Sequence, residues 1–91
     1  MKTVFKYVVP TSGTTSFMLP EGAKVLKVGV QDGGPAIWVL QDNALPQKLQ
    51  SFHTYMTGEN ITVESGEYLG TFQLPGGNFE YVGHVFKEGD L

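Results

Sequence analysis

Glycine and proline interrupt this chain so often that it reads as a succession of short strands joined by turns. Twelve glycines and five prolines divide 91 residues. The intervals are rich in valine, threonine, phenylalanine and tyrosine, which suit a pleated surface. Strands are expected near Thr3–Val9, Thr15–Leu19, Lys24–Gln31, Ala36–Gln41, Leu49–Met56, Glu67–Leu74 and Phe79–Lys87. A short extended piece is expected over Asn60–Val63, and Asn43-Ala44-Leu45-Pro46 has room for one helical turn. Asp32-Gly33-Gly34-Pro35 and Pro75-Gly76-Gly77-Asn78 supply the glycines that tight hairpins need, and Leu19-Pro20-Glu21-Gly22-Ala23 is a third turn. Seven short strands in one domain spanning residues 1–91 predict an all-β fold, a small antiparallel β-sandwich or barrel-like roll.

Alternation assigns the faces. Leu26, Val28 and Val30 share one face, opposite Lys27, Gly29 and Gln31. Tyr68, Phe72 and Leu74 oppose Leu69, Thr71 and Gln73. The run Ala36-Ile37-Trp38-Val39-Leu40 is apolar on both faces, and Val4-Phe5 with Tyr7-Val8-Val9 nearly so. A sandwich offers each strand one buried face. The surplus therefore predicts a homo-oligomer, since contiguous exposed apolar patches mark contacts.

The charge pattern excludes some functions. The formal net charge is −3, with six lysines and no arginine. Arginine is the usual bidentate reader of phosphate and base edges, so no duplex nucleic acid is expected as partner. No apolar run approaches the ~20 residues that span a bilayer, and no membrane association is expected. The chain has no cysteine, and with two histidines neither a metal centre nor a cofactor is expected.

The side chains with chemistry are few. His84 shares its face with Val82 and Phe86; a strand histidine serves either as a hydrogen-bonded structural group or as a ligand contact. Ser51, His53 and Tyr55 alternate onto one face, which is either a polar sheet surface or a wall facing a ligand. Thr57-Gly58-Glu59-Asn60 is a turn whose Thr57 could form one side of a pocket, with Lys27 or Lys48 near enough to offset negative charge. Trp38 is the first candidate for stacking a base, because its strand carries the apolar surplus. No set of residues assembles a nucleophile, a base and a stabilising group, so no enzyme is expected.

Several segments, taken in order, carry a resemblance. They are Val4-Phe5-Lys6-Tyr7, Met18-Leu19-Pro20-Glu21-Gly22-Ala23-Lys24-Val25-Leu26, Val28-Gly29-Val30-Gln31-Asp32-Gly33 and Ile37-Trp38-Val39-Leu40. Thr57-Gly58, Tyr68-Leu69-Gly70-Thr71-Phe72-Gln73-Leu74-Pro75-Gly76-Gly77 and His84-Val85-Phe86 complete the set. Together they resemble a family of small, uncharacterised proteins encoded mainly by bacteriophages and prophages. That family often has a tryptophan just before the final histidine, where this chain has Gly83. The resemblance implies a viral accessory protein in the cytoplasm of an infected bacterial host, and no established chemistry. The expected function is counter-defence: sequestering a small nucleotide-type signal in a pocket shared with a second subunit. The alternatives are an inhibitor or adaptor of a host or phage protein, and a minor virion component.

Overall fold

The computed structural model describes residues 1–62, 66–76 and 79–89. Seven antiparallel strands run in the order β1 (Lys2–Val8), β2 (Gly13–Pro20), β3 (Lys24–Gln31), β4 (Gly34–Asp42), β5 (Gln47–Met56), β6 (Glu67–Gly76) and β7 (Phe79–Lys87). They form two sheets, β1-β4-β3 and β2-β5-β7-β6. The sheets stack as a sandwich, with β3 against β6. Among the described residues no helix is long and apolar enough to cross a membrane.

Turn chemistry explains the connections. Asp32 and Gly33 both take positive φ, 55° and 80°, the type I′ geometry that matches the twist of the flanking strands β3 and β4. Gly22, at φ 76°, closes the turn that carries the chain from β2 to β3, and Ala23 N–H donates to Pro20 O at 3.2 Å. Residues 43–46 form only a turn: Leu45 N–H reaches Asp42 O, and Ala44 N–H reaches Asp42 Oδ1 at 3.0 Å. That side-chain bond competes with helix. Residues 60–62 belong to no strand. Val63 and the Gly77-Asn78 part of the last expected hairpin lie outside the described residues.

The core lies between the sheets. Val9, Leu19, Ile37, Val39, Phe52, Phe72 and Val85 are buried together. The doubly apolar run splits by alternation: Ile37 and Val39 are fully buried inward, while Trp38 and Leu40 point outward and stay half-buried. The chain thus leaves part of that run uncovered.

Two β-bulges correct the expected faces. The register of β3 against β4 shifts between Val25 and Lys27, and that of β6 against β7 between Tyr68 and Gly70. Each inserts one residue, which reverses the alternation beyond it. Val25 and Val28 therefore both pack on the core, and Leu26 is exposed. Leu69 likewise packs on the core, and Tyr68 moves to the outer face opposite Phe86. Gly70 sits where the two bulged strands meet, since a Cβ there would lie 2.8 Å from Val28 Cβ.

Candidate functional site

The outer face of the four-stranded sheet collects four of the expected site residues. Strand pairing sets Tyr55 opposite His84 and His53 opposite Phe86. Thr71, on β6, stands on the other side of His84. Both ring nitrogens of His84 are engaged: Nε2 with Thr57 Oγ1 at 2.7 Å, and Nδ1 with Thr71 Oγ1 at 2.8 Å. Thr71 Oγ1 also bonds Tyr68 OH at 2.6 Å. Hydroxyls donate and accept, so this row satisfies either tautomer of the imidazole.

Thr57 reaches His84 because the turn after β5 folds back. Gly58 takes φ 92°, Glu59 N–H donates to Met56 O, and Glu59 Oε1 accepts from Met56 N–H at 2.9 Å. Tyr55 is buried rather than half-solvated. Its ring packs on His53 with centroids 4.1 Å apart and edge-on to Phe86 at 5.6 Å, and its hydroxyl accepts from Thr62 N–H at 3.3 Å. His53 Nδ1 bonds Thr14 Oγ1 at 2.7 Å and lies 3.9 Å from a Glu88 carboxylate oxygen. Thr57, His84 and Tyr55 line a depression of about 280 Å³ whose rim includes the exposed Met56, Ile61 and Tyr68. The Thr57 and Thr71 hydroxyls hold the His84 ring from both of its nitrogens.

Lys27 lies with Trp38 on the opposite side of the molecule, not beside Thr57 as expected. They occupy the outer face of the three-stranded sheet, where Lys6 and Lys27 both stand opposite Trp38 in register. Lys24 stands opposite Leu40, and Lys2 opposite Asp42. The order β1-β4-β3 thus gathers four of the six lysines onto the face of one tryptophan, with Lys6 and Lys27 directly beside it. The indole packs across β3 where Gly29 has no side chain; a Cβ there would lie 3.3 Å from Trp38 Cζ3. Lys27 Nζ lies 5.4 Å from the ring centroid. Val4, Val8 and Leu26 are exposed on the same face, Val8 at 68 %.

Two carboxylates temper this charge. Asp32 comes within 4.0 Å of Lys6. Asp42 bonds Ala44 N–H, which holds its carboxyl below the ordinary carboxylate value, and the N-terminal ammonium and Lys2 act in the same direction. Lys48, the last expected site residue, belongs to neither face; it lines an opening at one end of the sandwich. Among the described residues, no three histidine or carboxylate side chains are grouped to hold a metal ion.

A family model described as "Domain of unknown function (DUF7352)" matches residues 1–90. No curated protein and no solved structure matches the chain.

Proposed function

The chain belongs to the DUF7352 family, a domain of unknown function, and from that starting point we propose that it is a non-enzymatic binding protein for a small nucleotide-type ligand. One observation carries this reading: Lys6, Lys24 and Lys27 flank a half-buried Trp38 on a sheet face that also exposes Val4, Val8 and Leu26. A nucleotide needs a flat apolar surface for its base and cations for its phosphates, and this face offers both. The tryptophan face is not free in the unbound protein, because Lys27 lies over it. A cation on an exposed aromatic ring is worth about 0.5–1 kcal/mol, and a stacked base about 1–3 kcal/mol. A base therefore displaces the ammonium, which then turns to a phosphate.

The same face suits closure by a second copy. Two such faces brought together repel through their lysines, and an anionic ligand between them relieves the repulsion. Ligand binding and dimerisation are thus coupled in this reading. A protein that holds a nucleotide signal without cleaving it acts as a sponge. The resemblance to phage-encoded proteins supports a counter-defence role for it in an infected bacterium. The exposed Val4, Val8 and Leu26 favour a second reading, in which the face covers a host or phage protein.

Trp38 is the sole tryptophan, so its emission reports on this face alone. Cyclic dinucleotides and ADP-ribose-type nucleotides are the ligands to titrate, by calorimetry and by fluorescence. The expected result is heat of binding with quenching for at least one of them. Trp38→Ala should weaken that ligand about 5- to 150-fold. Light scattering should show the mass rising above the 9.9 kDa of one chain as ligand is added. Absence of heat with every nucleotide would remove the sponge reading. A stoichiometric partner recovered from infected-cell lysate through the Trp38 face would put the adaptor reading in its place.

A further inference from the structure

The opening at one end of the sandwich has a composition that the fold does not require. In β5 the inward face runs Phe52, Gln50, Lys48, since Lys48 stands opposite the buried Leu19. In β7 it runs Val85, Lys87, since Lys87 stands opposite Phe52 on one side and Glu67 on the other. Alternation thus puts two lysines on the face that holds the core, where a sandwich strand is ordinarily apolar. Lys24 joins them at the rim. Among the described residues, none of these three lysines has an ion pair within 4.0 Å. Glu67 is the one carboxylate among the described residues lining the opening.

Beneath this rim the opening measures about 270 Å³. Its floor is the core itself: Val39 and Phe52, with Val25 and Leu69 beside them. Gln50 is buried in the wall, its amide nitrogen donating to Ser51 O at 3.0 Å and Glu88 O at 2.8 Å, which fixes the ends of β5 and β7 together. Lysines at a rim with the apolar Val25 and Leu69 beneath them are complementary to a molecule with an anionic head and a short apolar tail. At water's share of about 30 Å³ per molecule, the space takes roughly nine or ten heavy atoms.

The geometry points to a second ligand site here, for a medium-chain carboxylate of about the size of octanoate. The carboxylate lies between Lys48 and Lys87, and the alkyl chain enters between the sheets toward Phe52 and Leu69. The site is separate from the Trp38 face: Lys24 borders both, while Lys48 and Lys87, which hold the carboxylate, take no part in that face.

Octanoate, hexanoate and octanol are the probes, titrated into the whole chain and followed by amide nuclear magnetic resonance. Octanoate should shift the amides of Lys48, Gln50 and Lys87 and leave Trp38 emission unchanged. Hexanoate, two methylenes shorter, should bind about tenfold more weakly. Octanol should bind more weakly than octanoate, and high salt should narrow that gap. The pair Lys48→Gln and Lys87→Gln should abolish the preference for octanoate over octanol, with a dispersed spectrum confirming the fold. Equal binding of octanoate and octanol to the native protein, or shifts confined to residues outside the opening, would overturn the assignment. The native-protein comparison decides the matter even if the double variant does not fold.

Discussion

Phe52→Ala should cost about 3–5 kcal/mol of stability, the range for emptying a buried phenylalanine site. Phe52 is 1 % exposed and lies in the middle of the core cluster. It also forms the floor of the end opening, so its loss joins that opening to a new cavity. Domains of this size have about 5–15 kcal/mol in all, and the variant should lose about a fifth or more of that. Urea unfolding followed by circular dichroism measures it, with the melting temperature falling by about 15–30 °C. Leu49→Ala is the control. Leu49 lies three residues earlier in β5, exposed on the opposite face, and its truncation should change stability by at most about 0.5 kcal/mol. Equal losses for the two would show that the inward and outward faces of β5 are misassigned.

Gly83→Ala should destabilise by about 1–3 kcal/mol, the cost of overpacking a filled core. The added Cβ would lie 2.3 Å from Phe72 Cζ and 2.6 Å from its Cε1. The ring has nowhere to go: Phe72 is buried and stacks on Tyr81, with centroids 6.2 Å apart. Tyr81 in turn is anchored by its hydroxyl, which donates to Thr11 O. This contact also gives physical meaning to the glycine that stands where the resembling family often has tryptophan. Gly83 points inward, opposite Phe72 in register, and the aromatic ring that fills its space arrives from β6 instead of β7. Phe72→Leu should therefore rescue Gly83→Ala in part. A double-mutant cycle by chemical denaturation should give a coupling above about 0.5 kcal/mol. Strict additivity would mean that the two side chains do not share the site.

Seven strands were legible because turn chemistry is local. Asp32-Gly33 and Pro20-Glu21-Gly22 end strands by their own backbone preferences, whatever they pack against. The faces were legible only where alternation is unbroken. Nothing at Leu26 or Leu69 marks an inserted residue, so alternation alone groups Leu26 with Val28 and Tyr68 with Phe72, and the bulges separate both pairs. Gly70 was the one available hint, a glycine inside a strand pattern that required a close backbone approach.

The site was legible in the same uneven way. Ser51, His53 and Tyr55 do share a face, and His84 does face outward with Phe86. The pairing of β5 with β7 that sets Tyr55 beside His84 is a long-range fact that no local pattern carries. The same holds for the lysines. Lys2, Lys6, Lys24 and Lys27 form no run in the sequence, and only the order β1-β4-β3 makes them neighbours. Lys48 and Lys87 were missed as a pair because each looks like an ordinary strand-end cation. Their inward sense follows from Leu19 and Phe52, the buried residues they stand opposite on neighbouring strands.

The two bulged strands, β3 and β6, border their sheets on the same side of the sandwich. A bulge bends a rim and spoils its fit to an incoming extended peptide. The other borders, β1 and β2, keep an unbroken register along their whole length. Crowded copies of this chain should therefore join backbone to backbone along β1 or β2, the rims where templated growth of aggregates has a straight ladder to copy. Slowed amide exchange in those two strands at high concentration is the expected sign.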